Sequence, residues 1–221
     1  MSQAPKLVTR IYEGPEAERR LLELGLSMQA VEEVILKGEY ARAEHTLHDP
    51  VNAGGLDAYR YRVRGLRDAL CPLGWTIDRT GGLEGTKSPA GDHVILTRGG
   101  NEDVGHRDGF PQPRSIVGES TRGVVENGNM MFDPNWLNTP ATRPANDASF
   151  TTWMLLVYRS GDIVQAEMSW PNEFNDEDGQ VKAWVERILV PTINMADPTE
   201  RSSDQPGEPP VFIDVPLPRK R

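Results

Sequence analysis

The sequence predicts an α+β protein: an N-terminal helical unit packed on a mainly antiparallel β-sheet, with a long irregular insertion. Three observations carry that reading. Apolar residues recur at helical spacing up to about residue 72. From Gly74 the period becomes strand-like. Residues 99–149 are crowded with glycine and proline and hold only scattered apolar side chains. The predicted divisions are a helical unit over 1–72, a β unit over 73–195 with its long loop at 99–149, and an extended Pro-rich acidic tail over 196–221.

The first helix is expected over 15–25. Pro15 suits the first helical position, Glu16 and Glu18 complement the positive end of the helix dipole, and Gly25 is a natural stop. Ser27 caps a second helix whose apolar positions are Met28, Val31, Val34 and Ile35, with Gly38 as its predicted end. A third short helix is expected over 39–47. After the turn signals Asp49-Pro50 and Gly54-Gly55 a fourth follows over 57–70. Tyr59, Val63, Leu66 and Leu70 share one face of it, and Arg60, Arg64 and Arg67 share another. A unit of this length supports only a marginal core by itself, so the helices are expected to lie on the sheet.

Residues 75–78 and 93–97 read as strands paired across the 79–92 loop. Phe150 to Tyr158 and Ile163 to Trp170 form the clearest hairpin, turning at Ser160-Gly161-Asp162. In the second of these, Val164, Ala166, Met168 and Trp170 face one side and Ile163, Gln165, Glu167 and Ser169 the other, the pattern of a half-exposed sheet. Residues 180–190 fit a helix or a strand, and the preceding Asp178-Gly179 turn favours a strand. The 99–149 segment is either one long ordered loop or a loop holding a short helix near 119–131.

Charge limits the partners. The chain carries a formal net charge of −9 and has a pI near 5.0. Residues 146–221 alone carry 13 acidic against 7 basic side chains. No long basic block is present, so direct nucleic-acid binding and anionic membranes are disfavoured. The lone Cys71 sits in an apolar run and allows neither an internal disulfide nor a cysteine zinc site. With no apolar leader after Met1 and no membrane-length apolar run, a cytoplasmic protein is expected.

Four constellations bear chemistry. Asp92-His93 and Asp103-x-x-His106-x-Asp108 place two imidazoles and three carboxylates around one strand and its following loop. If they converge, they can hold a divalent cation and activate water for phosphodiester or amide hydrolysis. The competing reading is ordinary turn chemistry, favoured by Gly99-Gly100-Asn101 and Gly105. His45 and His48, at i and i+3 beside Glu44 and Asp49, are weaker metal candidates, because no third ligand is evident. Residues 21–31 resemble a helix-turn-helix, but Gln29, Glu32 and Glu33 stand where DNA readers carry arginine, lysine or asparagine. Trp136, in a polar stretch without periodicity, is a candidate partner contact. Gly118-Glu119-Ser120-Thr121-Arg122 fails as a nucleophile elbow, since arginine replaces the last glycine.

No complete catalytic constellation stands out. The leading expectation is therefore a non-enzymatic binding or regulatory protein, without cofactor, whose partner is a protein with a basic surface. The alternatives are a metal-dependent hydrolase using Asp92, His93, Asp103, His106 and Asp108, with a divalent cation, and a DNA-binding regulator acting through residues 16–37.

Overall fold

The computed structural model describes residues 9–114, 150–175 and 178–196. Its helices are α1 (Pro15–Glu23), α2 (Met28–Ala43) and α3 (Ala53–Leu70). Its strands are β1 (Arg10–Tyr12), β2 (Thr76–Asp78), β3 (Gly85–Lys87), β4 (His93–Gly99), β5 (Thr151–Ser160), β6 (Ile163–Phe174) and β7 (Val181–Asn194). The strands form one sheet in the order β1-β7-β6-β5-β4-β3-β2. The α+β class holds. The sheet is mixed rather than mainly antiparallel: β1 runs parallel to β7 and β4 parallel to β5. The long stretch of sequence between β4 and β5 is what a parallel pair requires, since a tight turn can join only antiparallel strands.

The helices form where their local chemistry places them. Gly25, at φ +76°, lets Leu26 N–H reach back to Leu21 O and closes α1. Ser27 Oγ accepts from Ala30 N–H at 3.1 Å and opens α2. Gly38 does not stop α2, contrary to expectation, and the helix runs on to Ala43, absorbing the start of the third helix predicted over 39–47. The reason is tertiary. A Cβ at Gly38 would stand 2.7 Å from Ala58 O and 2.5 Å from Arg62 Cγ, so glycine here admits the backbone of α3. At the same crossing the buried Glu39 carboxylate accepts from Arg42 Nε (2.9 Å), Arg62 Nη1 (3.0 Å) and Arg159 Nη1 (3.3 Å), tying α2 and α3 to β5. Burial pushes the Arg62 guanidinium down to about 10, against the opposing pull of Glu39.

The helices cover one face of the sheet. Leu21, Val31, Val34, Ile35, Leu66 and Leu70 pack against Ile95, Trp153, Leu155, Ala166, Met168 and Ile188 in one continuous core. Two short strands escaped the sequence reading. β1 adds to β7, and β3 lies between β2 and β4, so residues 75–78 and 93–97 do not pair directly as expected. Residues 180–190 are strand, as read.

The second face carries Val104, Met154, Leu156, Phe174, Val181 and Trp184. It is covered by residues 101–112, which leave β4 and fold back on the sheet. The polar side of β6 is therefore closed over its middle, where Glu167 and Ser169 are both 0 % accessible, while Gln165 is half-buried and Ile163 is exposed. The half-exposed pattern read from sequence is instead a buried polar face under a loop. Trp136, the predicted helix near 119–131, residues 118–122 and the tail beyond Ala196 lie outside the described residues.

Candidate functional site

The covering loop is closed on itself by Asn101 and Gln112. Asn101 N–H donates to Gln112 O at 3.0 Å, and Asn101 Oδ1 accepts from Gln112 N–H at 2.9 Å. Gln112 then extends the sheet edge with its side-chain amide, donating to Val181 O and accepting from Val181 N–H, both at 2.8 Å. Trp184 Nε1 donates to Pro111 O at 3.2 Å. Inside this ring Val104 is fully buried against the sheet. Gly105 passes close to β6, where a Cβ would stand 3.1 Å from that of Gln165.

At the centre lies Arg187 of β7, paired in two bonds with Glu167 of β6. Its Nε donates to Glu167 Oε1 at 2.9 Å and its Nη2 to Glu167 Oε2 at 2.6 Å. The remaining donors reach loop carbonyls: Nη2 to His106 O (2.8 Å), Nη1 to Gly109 O (2.7 Å) and to Arg107 O (3.4 Å). All five guanidinium N–H groups are thereby used. Glu167 also accepts from Gly105 N–H at 2.9 Å and from Ser169 Oγ at 2.5 Å, which fills its acceptor capacity. A buried ion pair is tolerable when the lone pairs and protons it leaves over are also satisfied. Here they are satisfied by backbone that would otherwise be buried without partners.

The five mid-chain residues do not converge. His93 lies on the helix side, with its ring 5.0 Å from Trp75 and Nε2 donating to Leu24 O at 3.0 Å. Its Nδ1 stands 2.7 Å from Asp92 Oδ1. Asp92 also accepts from Ser88 Oγ at 2.6 Å, and this bond, with the neighbouring His93, holds its carboxyl below the usual range. Serine, aspartate and histidine are thus together, but in the wrong order for nucleophilic catalysis. The aspartate takes both the hydroxyl and Nδ1, while Nε2, which would have to accept the serine proton, is turned onto a backbone carbonyl.

Asp103, His106 and Asp108 sit in the loop on the opposite face. Asp103 accepts from Asn101 Nδ2 at 3.3 Å, Gln165 Nε2 lies 2.8 Å from His106 Nε2, and Asp108 is exposed. The sheet separates this group from Asp92 and His93. His45 and His48 lie in the turn beyond α2, not on one helical turn. His45 stands 3.0 Å from Asp57 Oδ2 and 3.6 Å from Asp49 Oδ2, and His48 is exposed. Among the described residues, no group of three or more His, Cys, Asp or Glu side chains is placed to hold a metal. In the helix-turn-helix-like segment, Arg20 is turned inward to Glu186 at 2.7 Å, and Gln29 is bonded to Glu33 at 3.0 Å.

Sequence reasoning placed Glu167 only on the polar side of its strand and did not single out Arg187. Each sits in a strand among apolar residues, and the only available signal was two opposite charges on strands later found adjacent. It did record the arginine face of α3. Beside that face lies a groove of about 600 Å³, between α3 and the β2–β3 turn.

The fold and these sites define the class: an α+β protein with a mixed sheet, covered by helices on one face and by a clamped loop on the other. No protein family, curated protein or solved structure matches the chain. Among the described residues, no helix is long and apolar enough to cross a membrane.

Proposed function

We propose that this is a non-catalytic binding or regulatory protein whose partner presents a basic protein surface. One observation supports the first part above all. Asp92, His93, Asp103 and His106, the side chains best suited to chemistry, are each engaged in bonds within the fold and are divided between opposite faces of the sheet. The second part rests on charge. Glu16, Glu18 and Glu33 are exposed on α1 and α2, while Arg20, a base of that region, is bonded to Glu23 and Glu186. Complementary charge of this kind accelerates encounter and weakens with salt.

The test is a partner capture on the full chain at low and high salt, repeated with Glu16→Lys, Glu18→Lys and Glu33→Lys combined. The reading expects captured basic proteins to be released by salt and lost in the variant. A partner held equally well by both chains and indifferent to salt contradicts the electrostatic part.

A further inference from the structure

On this acidic chain, several arginines gather on one exposed surface of α3 and the β2–β3 turn. Arg60, Arg64 and Arg67 stand at i, i+4 and i+7 on α3, a stripe about 10 Å long by the helical rise. Arg79 faces them across the groove from the β2–β3 turn. The side chains of Arg60, Arg64 and Arg79 are 65, 72 and 66 % exposed. Between them the wall is apolar and open: Ile77 is 49 % and Tyr61 40 % accessible, with Val63 beneath.

The groove also has a polar end. A smaller hollow of about 120 Å³ shares Tyr59 and Glu84 with it and is lined by Thr97 and Arg98. Among the described residues, Thr97 Oγ1 and Arg67 Nε have no hydrogen-bond partner, and both atoms are closed to solvent.

We propose that this groove binds an acidic peptide segment of a second partner protein, with an apolar side chain seated on Ile77 and Tyr61. Tyrosine and arginine around an apolar floor are the residues that dominate protein interfaces. The volume suits a short peptide's anchor residues. Glu84 already shows the mode of recognition from within the chain, accepting from Arg67 Nη2 at 2.5 Å and Arg79 Nε at 3.4 Å. Peptide carboxylates would meet the guanidinium N–H groups that Asp57, Asp68 and Glu84 leave over on Arg60, Arg64 and Arg79.

A nucleic acid fits less well. Asp57, Asp68 and Glu84 are interleaved with the arginines, at 2.8 Å from Arg60, 3.8 Å from Arg64 and 2.5 Å from Arg67. A continuous phosphate track would meet these carboxylates and the chain's net charge of −9. A peptide can place its acids opposite arginines and its apolar residues between them. This surface is separate from the acidic one on α1 and α2, and the two readings fail independently.

The test is fluorescence anisotropy on the full chain. The probe is a labelled peptide of about 15 residues repeating Glu-Glu-Leu-Leu, compared with its Lys-Lys-Leu-Leu counterpart and with a thymidine oligonucleotide of equal charge. Binding of the acidic peptide alone is expected, weakened by salt. Arg60→Glu combined with Arg64→Glu should cost about tenfold or more in affinity, Arg79→Glu on the opposite wall a similar factor, and Ile77→Ser about threefold. Leu47→Ser, at an exposed position away from the groove, should leave the affinity unchanged. Absence of acidic-peptide binding, or binding indifferent to the arginine reversals, overturns the proposal. So does an oligonucleotide bound as tightly as the peptide, or self-association of the chain abolished by the same reversals, which would make a second copy the occupant.

Discussion

The two faces of the sheet are both dry, but different forces keep them so. Under the helices, dispersed apolar contacts among Leu21, Val34, Ile35, Trp153, Leu155 and Met168 exclude water, and no single residue dominates. Under the loop, a smaller apolar patch around Val104 and Trp184 is sealed by one ion pair, whose donors also hold the loop's carbonyls. The first face should degrade gradually under mutation. The second should fail as a unit.

The sharpest way to break that comparison is at the clamp. Arg187→Met leaves Glu167 charged and buried without its main partner. It should cost roughly 3–5 kcal/mol in denaturant unfolding, whereas pairing it with Glu167→Gln should recover part of the loss. Next comes a crossing on the helical side. Gly38→Val must push α3 away, since even a Cβ would meet Ala58 O at 2.7 Å. An overpacking cost of about 1–3 kcal/mol is expected, with the loop on the far face unaffected. Val104→Ala removes two methyl groups from under the loop and should cost roughly 1.5 kcal/mol.

How much of this was legible in the sequence follows the same division. The helical face was readable, because Met28, Val31, Val34 and Ile35 repeat at the helix period and Ser27 and Pro15 mark starts. The β5–β6 hairpin was readable from alternation and from Gly161. Gly38 was misread as a stop because a close crossing depends on a helix twenty residues away, which no local rule reports. β1 and β3 were missed because three residues are too few to show a period. The loop face was least readable. Asp103 and His106 have the spacing of ligands, and only the position of Glu167 and Arg187 reveals that their segment serves as a cover. Nor does local sequence report that His93 packs under the helices while the loop after β4 lies on the other face of the sheet.

Smaller effects sharpen the account further. Asp92, held below its ordinary range chiefly by the Ser88 hydroxyl, contributes stability that is present above its unfolded pKa and lost as pH falls through the folded one. Asp92→Asn should therefore lower the neutral plateau of a stability–pH profile and flatten its acid limb by the same small amount, small because the carboxylate is 64 % exposed. Least of all should come from added metal. Mn²⁺, Mg²⁺ or Zn²⁺ is expected to leave the melting temperature of the full chain unchanged, and a cation-dependent rise lost in His106→Ala would revive the hydrolase alternative.

The most direct test of the clamp is amide hydrogen exchange on the native chain and on Arg187→Met. The account predicts that Gly105, whose N–H donates to Glu167, and Gln112, whose N–H closes the loop on Asn101, lose protection in the variant while the amides of β5 and α2 keep theirs. Loop amides that stay as protected as in the native chain, or a loss spread evenly through helices and sheet, would contradict it.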